Sequence, residues 1–406
     1  MFFRMHNCSR RSFSILFFGS LFFLLFFVRC NSGVKDTMIS IAPVATAYDG
    51  SKYAGSQRCI ACHENIYNEH LKTPHYNTSQ LVSDDNVVGD FKVHNILKLN
   101  EHIVFKMIDE DQLYQAAFKD ERFVRKEPFD IIIGSGTKGQ TFLYWNDNRL
   151  YQLPVSYLNK SNKWIHSPGY SNDRIHFDRA VIPNCLECHT TFARNHLPTD
   201  FNSNMFVKKE MIFGVDCESC HGPSLKHVNA HINDPELKMA QHILDIKTLT
   251  RQQQLDACAR CHSGLGRPLK MPFTFKTGDK LDSFRIPNYM PIDTTKLDVH
   301  GNQYGLLTMS KCFKRSESLN CTTCHDPHKN ERQQSATFSQ KCIGCHQDAG
   351  NHSFSLEHQE KLDCISCHMP LLTTSAITFN GLNSNDHSDS IKVRTHKIGI
   401  YGNELP

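Results

Sequence analysis

The sequence is poor in the apolar side chains from which a conventional protein core is built. Hydrophobic residues make up 39% of its 406 residues, and that figure includes 17 cysteines. A large excess of charge of one sign is also lacking, because the formal net charge is only +4, which argues against a nucleic-acid-binding role. The marked apolar run at residues 15–28 is shorter than a typical membrane-spanning helix.

The N-terminus has the pattern of an export signal. Basic residues precede the apolar run, and Cys30 follows it directly. Three outcomes stay open: a lipid anchor on Cys30, ordinary cleavage, or an uncleaved anchor. We predict a signal peptide or N-terminal lipid anchor over residues 1–30 and a linker over residues 31–50. The protein should be exported, either to the periplasm or anchored on the extracytoplasmic side, and should meet the membrane only through its N-terminus.

Cysteine and histidine recur together in the pattern Cys-x-x-Cys-His, which the chain carries seven times. In c-type cytochromes two such cysteines bond to one edge of a haem, and the histidine becomes the proximal ligand of the iron. Zinc sites and redox disulfides also use Cys-x-x-Cys, but neither explains a histidine after every second cysteine. We therefore predict seven covalently attached haems c with their irons. The motifs are Cys59, Cys62 and His63; Cys185, Cys188 and His189; Cys217, Cys220 and His221; Cys258, Cys261 and His262; Cys321, Cys324 and His325; Cys342, Cys345 and His346; and Cys364, Cys367 and His368.

Haem would also compensate for the shortage of apolar side chains. Each macrocycle brings a large, flat apolar surface against which side chains can pack. We expect the haems to take the place of a conventional core, and the haem-free chain to be largely unfolded.

The uneven spread of the motifs predicts the domains. After the haem 1 segment, residues 51–84, alternating apolar residues and turn signals predict an inserted β-rich domain over residues 85–178. Within it, residues 141–153 have the pattern of a hairpin, and residues 159–162 that of a turn. Haems 2–7 follow in a multihaem domain over residues 179–406, where the short gaps between motifs leave room for helices and loops but no sheet. The predicted fold class is α+β, a mostly helix-and-loop multihaem c cluster with an inserted small β domain.

Four segments of the chain resemble the cytochrome c-552/c-554 family of multihaem cytochromes. They are Tyr53 to His63 with Thr73-Pro74-His75 after it, Cys217 to Pro223 with His227, Cys321 to His328, and Cys364 to Pro370. The resemblance covers about residues 50–400, including the β-rich insert. It implies electron transfer, with relatives among multihaem enzymes that act on hydroxylamine, nitrite or sulfur oxyanions.

The resemblance also implies the distal ligands, which bind the irons opposite the motif histidines: His75, His227, His328 and His396. A histidine a few residues after its own motif does not easily reach the far side of its own haem. We therefore expect such a histidine to serve a neighbouring haem. The weaker candidates are His358, His387, His196 and His176. Cys312 lies outside the motifs, and we expect it to be a buried free thiol.

These observations favour an electron carrier, with no catalytic residue assigned. Its partners would be redox proteins, either a membrane quinol-linked donor or other cytochromes. The alternative is a multihaem oxidoreductase of a small nitrogen or sulfur compound such as nitrite, hydroxylamine or tetrathionate, which needs one iron with an open position. No Cys-x-x-Cys-Lys variant, which would indicate such an enzyme, occurs in the sequence. A third hypothesis is a β-domain interaction module in which the haems are only structural.

Overall fold

The computed structural model describes residues 39–171, 173–286, 301–346, 363–374 and 391–401. The predicted signal or anchor at residues 1–30 lies outside this part of the chain, as do the candidate ligands His358 and His387. No helix within the described ranges is long and apolar enough to cross a membrane.

The elements are short throughout the described ranges. The strands are β1 (Ala45–Thr46), β2 (Lys52–Tyr53), β3 (Ser79–Leu81), β4 (Ile96–Lys98), β5 (Ile103–Asp109), β6 (Leu113–Lys119), β7 (Arg122–Pro128), β8 (Ile131–Ile133), β9 (Gly139–Asn146), β10 (Arg149–Gln152), β11 (Val155–Leu158), β12 (Lys163–His166), β13 (Arg179–Ala180), β14 (Thr190–Asn195), β15 (Phe206–Phe213), β16 (Arg267–Pro268), β17 (Arg285–Ile286), β18 (Leu371–Thr373) and β19 (Lys392–Arg394). The α-helices are α1 (Ile60–His70), α2 (Pro183–Leu186), α3 (Cys217–His221), α4 (Leu225–Asn233), α5 (Arg251–His262), α6 (Gln303–Thr308), α7 (Lys311–Arg315), α8 (Ser335–Ile343) and α9 (Cys364–His368).

Strands β3 to β13, residues 79–180, form what we call the β body. Its larger sheet has the order β12-β11-β9-β10-β13, with β8 beside β9 and β3 beside β8. Its smaller sheet has the order β4-β5-β6-β7, and every pair of neighbouring strands is antiparallel. The predicted hairpin is confirmed, since β9 pairs with β10 in the register Trp145 to Leu150. The predicted turn before Trp164 is confirmed as well, because β11 pairs with β12 across it.

Both turns contain a residue in the left-handed region of backbone conformation. Asp147 has φ 52° in the turn between β9 and β10, and Asn162 has φ 51° in the turn between β11 and β12. Asparagine and aspartate tolerate this conformation better than other residues with a side chain. The turn residues that predict these hairpins from the sequence therefore occupy the positions that require them.

An aromatic core joins the two sheets of the β body. Phe142 is fully buried, and its ring centre lies 4.4 Å from that of Phe129 and 5.8 Å from that of Trp164. Gln115 also links the sheets, because its side chain donates to the carbonyl of Val155 (2.7 Å) and accepts from the amide of the same residue (3.0 Å). The β body therefore has a core of its own, and a pair of hydrogen bonds joins its two sheets.

The α+β fold class is confirmed in its coarse form, but the predicted absence of sheet after residue 179 is wrong. Strands β14 and β15 pair as an antiparallel hairpin between the second and third motifs. Phe192 on β14 and Phe206 on β15 are fully buried and pack with Tyr53 and Leu186. Burial of these apolar side chains stabilises strands in a gap whose length alone suggests a helix and a loop.

Residues 39–58, which we call the N-terminal segment, are packed against the rest of the chain. Ala45 and Ala47 are buried in a cluster with side chains from β14 and β15. The side chain of Asn233 accepts from the amide of Ile39 (2.8 Å) and donates to its carbonyl (2.9 Å). The described part of the predicted linker, residues 39–50, is therefore attached to β15 and α4.

Candidate functional site

Each Cys-x-x-Cys-His motif lies on or beside a short helical segment. In a helical turn, positions i, i+3 and i+4 point to the same side. The two cysteines and the histidine of a motif occupy these positions, so the turn brings all three to one side. This is the arrangement that attachment of one haem edge and ligation of its iron require.

Local caps fix where two of these turns begin. The carboxylate of Asp216 accepts a hydrogen bond from the amide of Cys217 (2.7 Å) at the start of α3. Thr250 and Gln253 form a reciprocal capping box at the start of α5, whose last residues carry the fourth motif. Such caps satisfy amide groups that a helix leaves without partners at its first turn.

The motif cysteines are free thiols, as covalent haem attachment requires. All fourteen are free of disulfide bonds, and so is Cys312, which is half-buried. In the described part of the chain, no three His, Cys, Asp or Glu side chains converge so that they could hold a metal ion directly. Pairs of free thiols on one side of a helical turn fit haem c.

The folded chain brings different motifs together. Cysteines of separate motifs lie close together in three places, which puts motif 1 beside motif 3 and motif 4 beside motifs 2 and 5. The three pairs are Cys59 with Cys217, Cys188 with Cys261, and Cys258 with Cys321. Haems attached at these motifs would have neighbouring edges.

Three motif histidines each face a second histidine. Ring centres on opposite sides of one iron should lie about 6 to 6.5 Å apart, because each metal–nitrogen bond is about 2 Å and each ring centre lies about 1 Å beyond its nitrogen. The observed distances are 6.1 Å for His75 and His262, 6.3 Å for His328 and His221, and 6.0 Å for His396 and His325. Three of the four predicted distal histidines thus lie at the spacing that iron ligation requires.

Two of the histidines that face a motif histidine are held in the neutral form. Burial, with a smaller contribution from His262, lowers the pKa of His75 to about 4. Burial likewise lowers the pKa of His396 to about 4, helped by His325. A neutral imidazole has the nitrogen lone pair with which histidine binds a metal.

His75 is held by a turn and by a contact with motif 3. The hydroxyl of the buried Thr73 accepts from the amide of Tyr76 (3.2 Å), which closes the turn around His75. The amide of Val215 donates to the carbonyl of His75 (2.8 Å). Gly214 has φ +67°, and a Cβ atom there would lie 2.1 Å from the carbonyl oxygen of Tyr76. Only glycine permits this close approach.

His396 is held by contacts with two other parts of the chain. The hydroxyl of Ser310 donates to the carbonyl of His396 (3.0 Å) and accepts from the amide of Ile398 (2.8 Å). The guanidinium of Arg394, on β19, donates to the carbonyls of Ile365 and Met369 (both 2.8 Å) beside motif 7. These bonds fix the segment that carries His396.

Three motif histidines, His325 among them, are hydrogen-bonded through Nδ1. Such a bond to the second ring nitrogen is what orients most metal-binding histidines. The partners are Thr78 Oγ1 for His189 (3.0 Å), Glu331 Oε2 for His325 (3.1 Å) and the carbonyl of Gly399 for His368 (2.8 Å).

His227, the remaining predicted distal ligand, has a different environment. Its ring centre lies 4.6 Å from that of His231, one turn further along α4. Its Nδ1 is hydrogen-bonded to the carbonyl of Gln241 (2.8 Å). Among the described residues, no motif histidine faces His227 in the way that His262 faces His75.

His70 is a candidate ligand that the sequence analysis missed. It is buried, and neither ring nitrogen has a hydrogen-bond partner. Its ring centre lies 6.4 Å from that of His328, and its Nε2 lies 3.7 Å from the Asp216 carboxylate. His70 follows His63 by seven residues, so the spacing that favours His227 as a ligand for a neighbouring haem also favours His70.

The weaker candidates lie away from the paired histidines. His176 stacks on Tyr170 in the β body at 4.4 Å, and its Nδ1 is bonded to Asp178. His196 is exposed at the end of β14. In the described ranges, no second histidine faces either His63 or His346, and both are exposed.

Comparison with known proteins identifies relatives among multihaem cytochromes. The family described as "Cytochrome c554 and c-prime" matches residues 157–222, which include the second and third motifs. The chain is 24% identical over 192 residues to "Multiheme cytochrome MtrA" of Shewanella baltica (strain OS185), covering 45% of this chain and 51% of that protein. It therefore spans about half the length of this curated relative.

A solved structure shares the fold. The outer cell wall cytochrome OcwA superimposes with a TM-score of 0.53 at 17% sequence identity, covering 80% of this chain and 78% of OcwA. At this identity the likeness concerns the fold.

Proposed function

We propose that the chain is a multihaem cytochrome c that carries electrons outside the cytoplasm through seven covalently attached, mostly bis-histidine haems. Its fourteen motif cysteines hold the cofactors, and its motif histidines supply one ligand to each iron. When bound, the haems supply a series of one-electron couples at closely spaced irons. The redox partners would be a membrane quinol-linked donor or other cytochromes.

The observation that carries this proposal is the facing of motif histidines by histidines from distant parts of the chain. His75 and His262 are far apart in sequence, as are His221 and His328, yet their rings lie 6.1 and 6.3 Å apart. A ligand on each side keeps an iron six-coordinate in both oxidation states, so little rearrangement accompanies electron transfer. That property suits a carrier, and it leaves no position for a substrate at those irons.

Replacement of the facing histidines tests the proposal. We expect His75→Ala, His328→Ala and His396→Ala each to convert one haem of the holoprotein from low-spin to high-spin. The opened iron should then bind carbon monoxide. His102→Ala, which removes an exposed histidine of the β body bonded to Asp120, should leave the spectrum unchanged. An unchanged spectrum in a facing-histidine variant would show that this histidine is not a ligand.

The number of haems is tested separately by the intact mass of protein made with haem attachment. We expect the increment of seven haems c, and six or fewer would contradict the motif count.

Mass analysis of the native N-terminus decides between lipidation at Cys30 and cleavage. His227 stays a proposed ligand on the resemblance alone, and His227→Ala tests it in the same way as the other three.

The enzyme hypothesis makes the opposite prediction for the unmodified protein. A carrier should show little high-spin haem before any substitution. If the unmodified holoprotein contains a full high-spin haem that binds nitrite or hydroxylamine and converts it, the carrier proposal is wrong and the oxidoreductase takes its place.

A further inference from the structure

A cavity of about 280 Å³ lies between the N-terminal segment and the third and fourth motifs. Its wall includes Tyr48 and Tyr53 from the N-terminal segment, Glu218 and Ser219 from motif 3, and Arg260 from motif 4. Glu218, Ser219 and Arg260 each lie between the two cysteines of their motif. In a helical turn these positions face away from the side that carries the cysteines and the histidine. The cavity therefore lies behind both motifs.

Arg260 is a buried cation in the wall of this cavity. The residue is only 7% exposed, and its Nη2 donates to the hydroxyl of Ser219 (2.6 Å). Its Nε has no hydrogen-bond partner. In the described part of the chain no carboxylate lies within 4.0 Å of its guanidinium; the nearby Glu187 pairs with Arg285 instead. A buried charge normally has a partner, because removal of an ion from water is costly.

The carboxylates nearby are already occupied by other donors. Glu218 accepts from the amides of Ala54 and Gly55 (both 2.8 Å) and from the amide and hydroxyl of Ser224 (both 2.7 Å). One oxygen of Glu187 accepts from the amide of Phe273 (2.9 Å), and the other pairs with Arg285. Neither carboxylate is free to turn toward Arg260.

A second cation at the cavity already has its counter-ion. Lys276 forms an ion pair with Asp49, and both side chains are about half exposed, which places them at the mouth. The pair joins the N-terminal segment to the loop that follows β16. Arg260 therefore makes no ion pair in the described part of the chain: its guanidinium contacts the hydroxyl of Ser219 and the ring of Phe275, whose centre lies 6.0 Å away.

We propose that this cavity binds an oxyanion at Arg260, either a carboxylate or a small inorganic oxyanion such as sulfate. A guanidinium forms strong, directional hydrogen bonds with both kinds of group. The carboxylate could be a propionate of an attached haem, and only that source depends on the proposed function. An inorganic oxyanion would enter past Asp49 and Lys276.

A bound oxyanion would change the redox properties of the neighbouring sites. Negative charge behind motifs 3 and 4 favours the oxidised, more positive irons over the reduced ones, so it lowers their midpoint potentials. By linkage, the oxidised protein then binds the anion more tightly than the reduced protein. A tenfold difference in Kd corresponds to about 59 mV for a one-electron couple.

Redox titration and calorimetry of the holoprotein test the inference, with sulfate replacing chloride at constant ionic strength. We expect the wild type to bind one sulfate, with lower midpoint potentials at one or two haems. In Arg260→Gln the sulfate response should be lost. Arg149→Gln removes an exposed arginine of the β body and is the matched control, so it should behave like the wild type. Arg260→Lys keeps the charge but not the fork of donors, and it should bind sulfate several-fold more weakly.

The two sources of the oxyanion give different results. If the wild type binds no sulfate but the midpoint potentials of Arg260→Gln become dependent on pH, the oxyanion is a carboxylate of the holoprotein, because loss of the guanidinium raises the pKa of that carboxyl group. If no sulfate binds and Arg260→Gln lowers the midpoint potentials equally at every pH, only the charge of Arg260 has been lost and the inference is overturned. If the wild type and Arg260→Gln bind sulfate equally well, the sulfate is an adventitious ion only. The comparison of their midpoint potentials then decides whether a carboxylate of the holoprotein is bound at Arg260. The inference is overturned when Arg260→Gln matches the wild type in both sulfate response and midpoint potentials.

Two further measurements cover the case in which Arg260→Gln does not fold and separate this inference from the proposed function. If Arg260→Gln does not fold, the comparison of Arg260→Lys with the wild type in sulfate and in chloride replaces it, and identical behaviour of the two proteins in both salts overturns the inference. The haem count by mass is independent of all these results. If the protein carries seven haems but Arg260→Gln changes neither the sulfate response nor the midpoint potentials, this inference is wrong and the proposed function is unaffected.

Discussion

The β body and the part of the chain after it, residues 183–401, which we call the motif region, are held together in different ways. In the β body one cluster of fifteen buried apolar side chains, including Phe105, Phe142 and Trp164, joins two sheets. In the described parts of the motif region, a cluster around Leu255 has five buried members. Another, around Leu225, has two members from this region, with Ala54 of the N-terminal segment as the third. The largest cluster of this region, around Phe192 and Phe206, is shared with Leu143 and Leu150 of the β body.

This difference predicts where haem is structurally necessary. The longest described helix of the motif region, α5, has 12 residues, a length at which an isolated helix is only marginally stable in water. Beyond the β14–β15 hairpin, the described clusters of the motif region bury too little apolar surface to compensate for ordering the backbone. We expect haem surfaces to supply the rest. The β body has ladders and a core, and it does not need them.

Removal of the haems should therefore reveal the difference between the two regions most clearly. In protein made without haem attachment, we expect the motif region to be unfolded and the β body to stay folded. Limited proteolysis followed by mass spectrometry should yield a protected fragment spanning β3 to β13. The holoprotein under the same conditions should resist cleavage in both regions. Equal digestion of both regions in the haem-free chain would show that the β body has no independent stability.

Phe142→Ala tests the core of the β body. Phe142 is fully buried against Phe129 and Trp164, so its truncation should lower the free energy of unfolding of the β body by about 3 to 5 kcal/mol. The haem spectrum of the folded protein should not change. Phe123→Ala, at a side chain that is 61% exposed, is the control and should change stability by about 0.5 kcal/mol or less. Chemical denaturation of both variants measures the difference.

The sequence predicts the β body better than it predicts the motif region. Alternation over residues 103–119 and the turn residues Asp147 and Asn162 are local signals, and the strands follow them. The β14–β15 hairpin was missed because the spacing of the motifs outweighed the apolar side chains at Phe192 and Phe206. Those side chains become decisive only when they pack with Tyr53 and Leu186.

The same distinction applies to the candidate site. Local patterns identify every motif, and the resemblance identifies His75, His328 and His396, which do face motif histidines. His70 and Arg260 were not identified, because their significance depends on distant partners. His70 meets His328 across more than 250 residues of sequence, and no local pattern marks such a contact.

Glu218→Gln should show that buried polar contacts support the motif region. The carboxylate accepts four hydrogen bonds that join motif 3 to the N-terminal segment and to Ser224. An amide would lose the charge and turn its NH₂ group toward one of the donors. We expect a loss of about 2 kcal/mol in the unfolding free energy of the holoprotein.

Glu110→Gln is the matched control for this substitution. Glu110 pairs with Lys126 on the surface of the β body and is half exposed, so its loss should cost less than about 1 kcal/mol. Urea denaturation, monitored by the haem absorbance and by circular dichroism, measures both variants. Equal effects of Glu218→Gln and Glu110→Gln would show that the buried carboxylate contributes no more than a surface one.

The smallest effect is expected at the ion pair between Asp49 and Lys276, which joins the N-terminal segment to the motif region in contact with water. Burial acts to raise the pKa of Asp49, but hydrogen bonds from Lys276 and Ser51 outweigh it and hold the pKa at about 2, below its ordinary value of 3.8. A carboxyl with a lowered pKa in the folded chain contributes stability above its unfolded pKa, near 4, and loses that contribution as the pH falls toward 2.

Because both side chains are about half exposed, solvent screening limits the contribution to about 0.2 to 1 kcal/mol. The unfolding free energies of the wild type and Asp49→Asn should therefore differ by this amount at pH 6, and the difference should shrink at pH 4 and again at pH 3. Lys276→Gln should lose the same pH dependence, since it removes the partner. A difference that stays constant from pH 6 to pH 3 would mean that Asp49 acts through its hydrogen bonds with Ser51 and not through its charge.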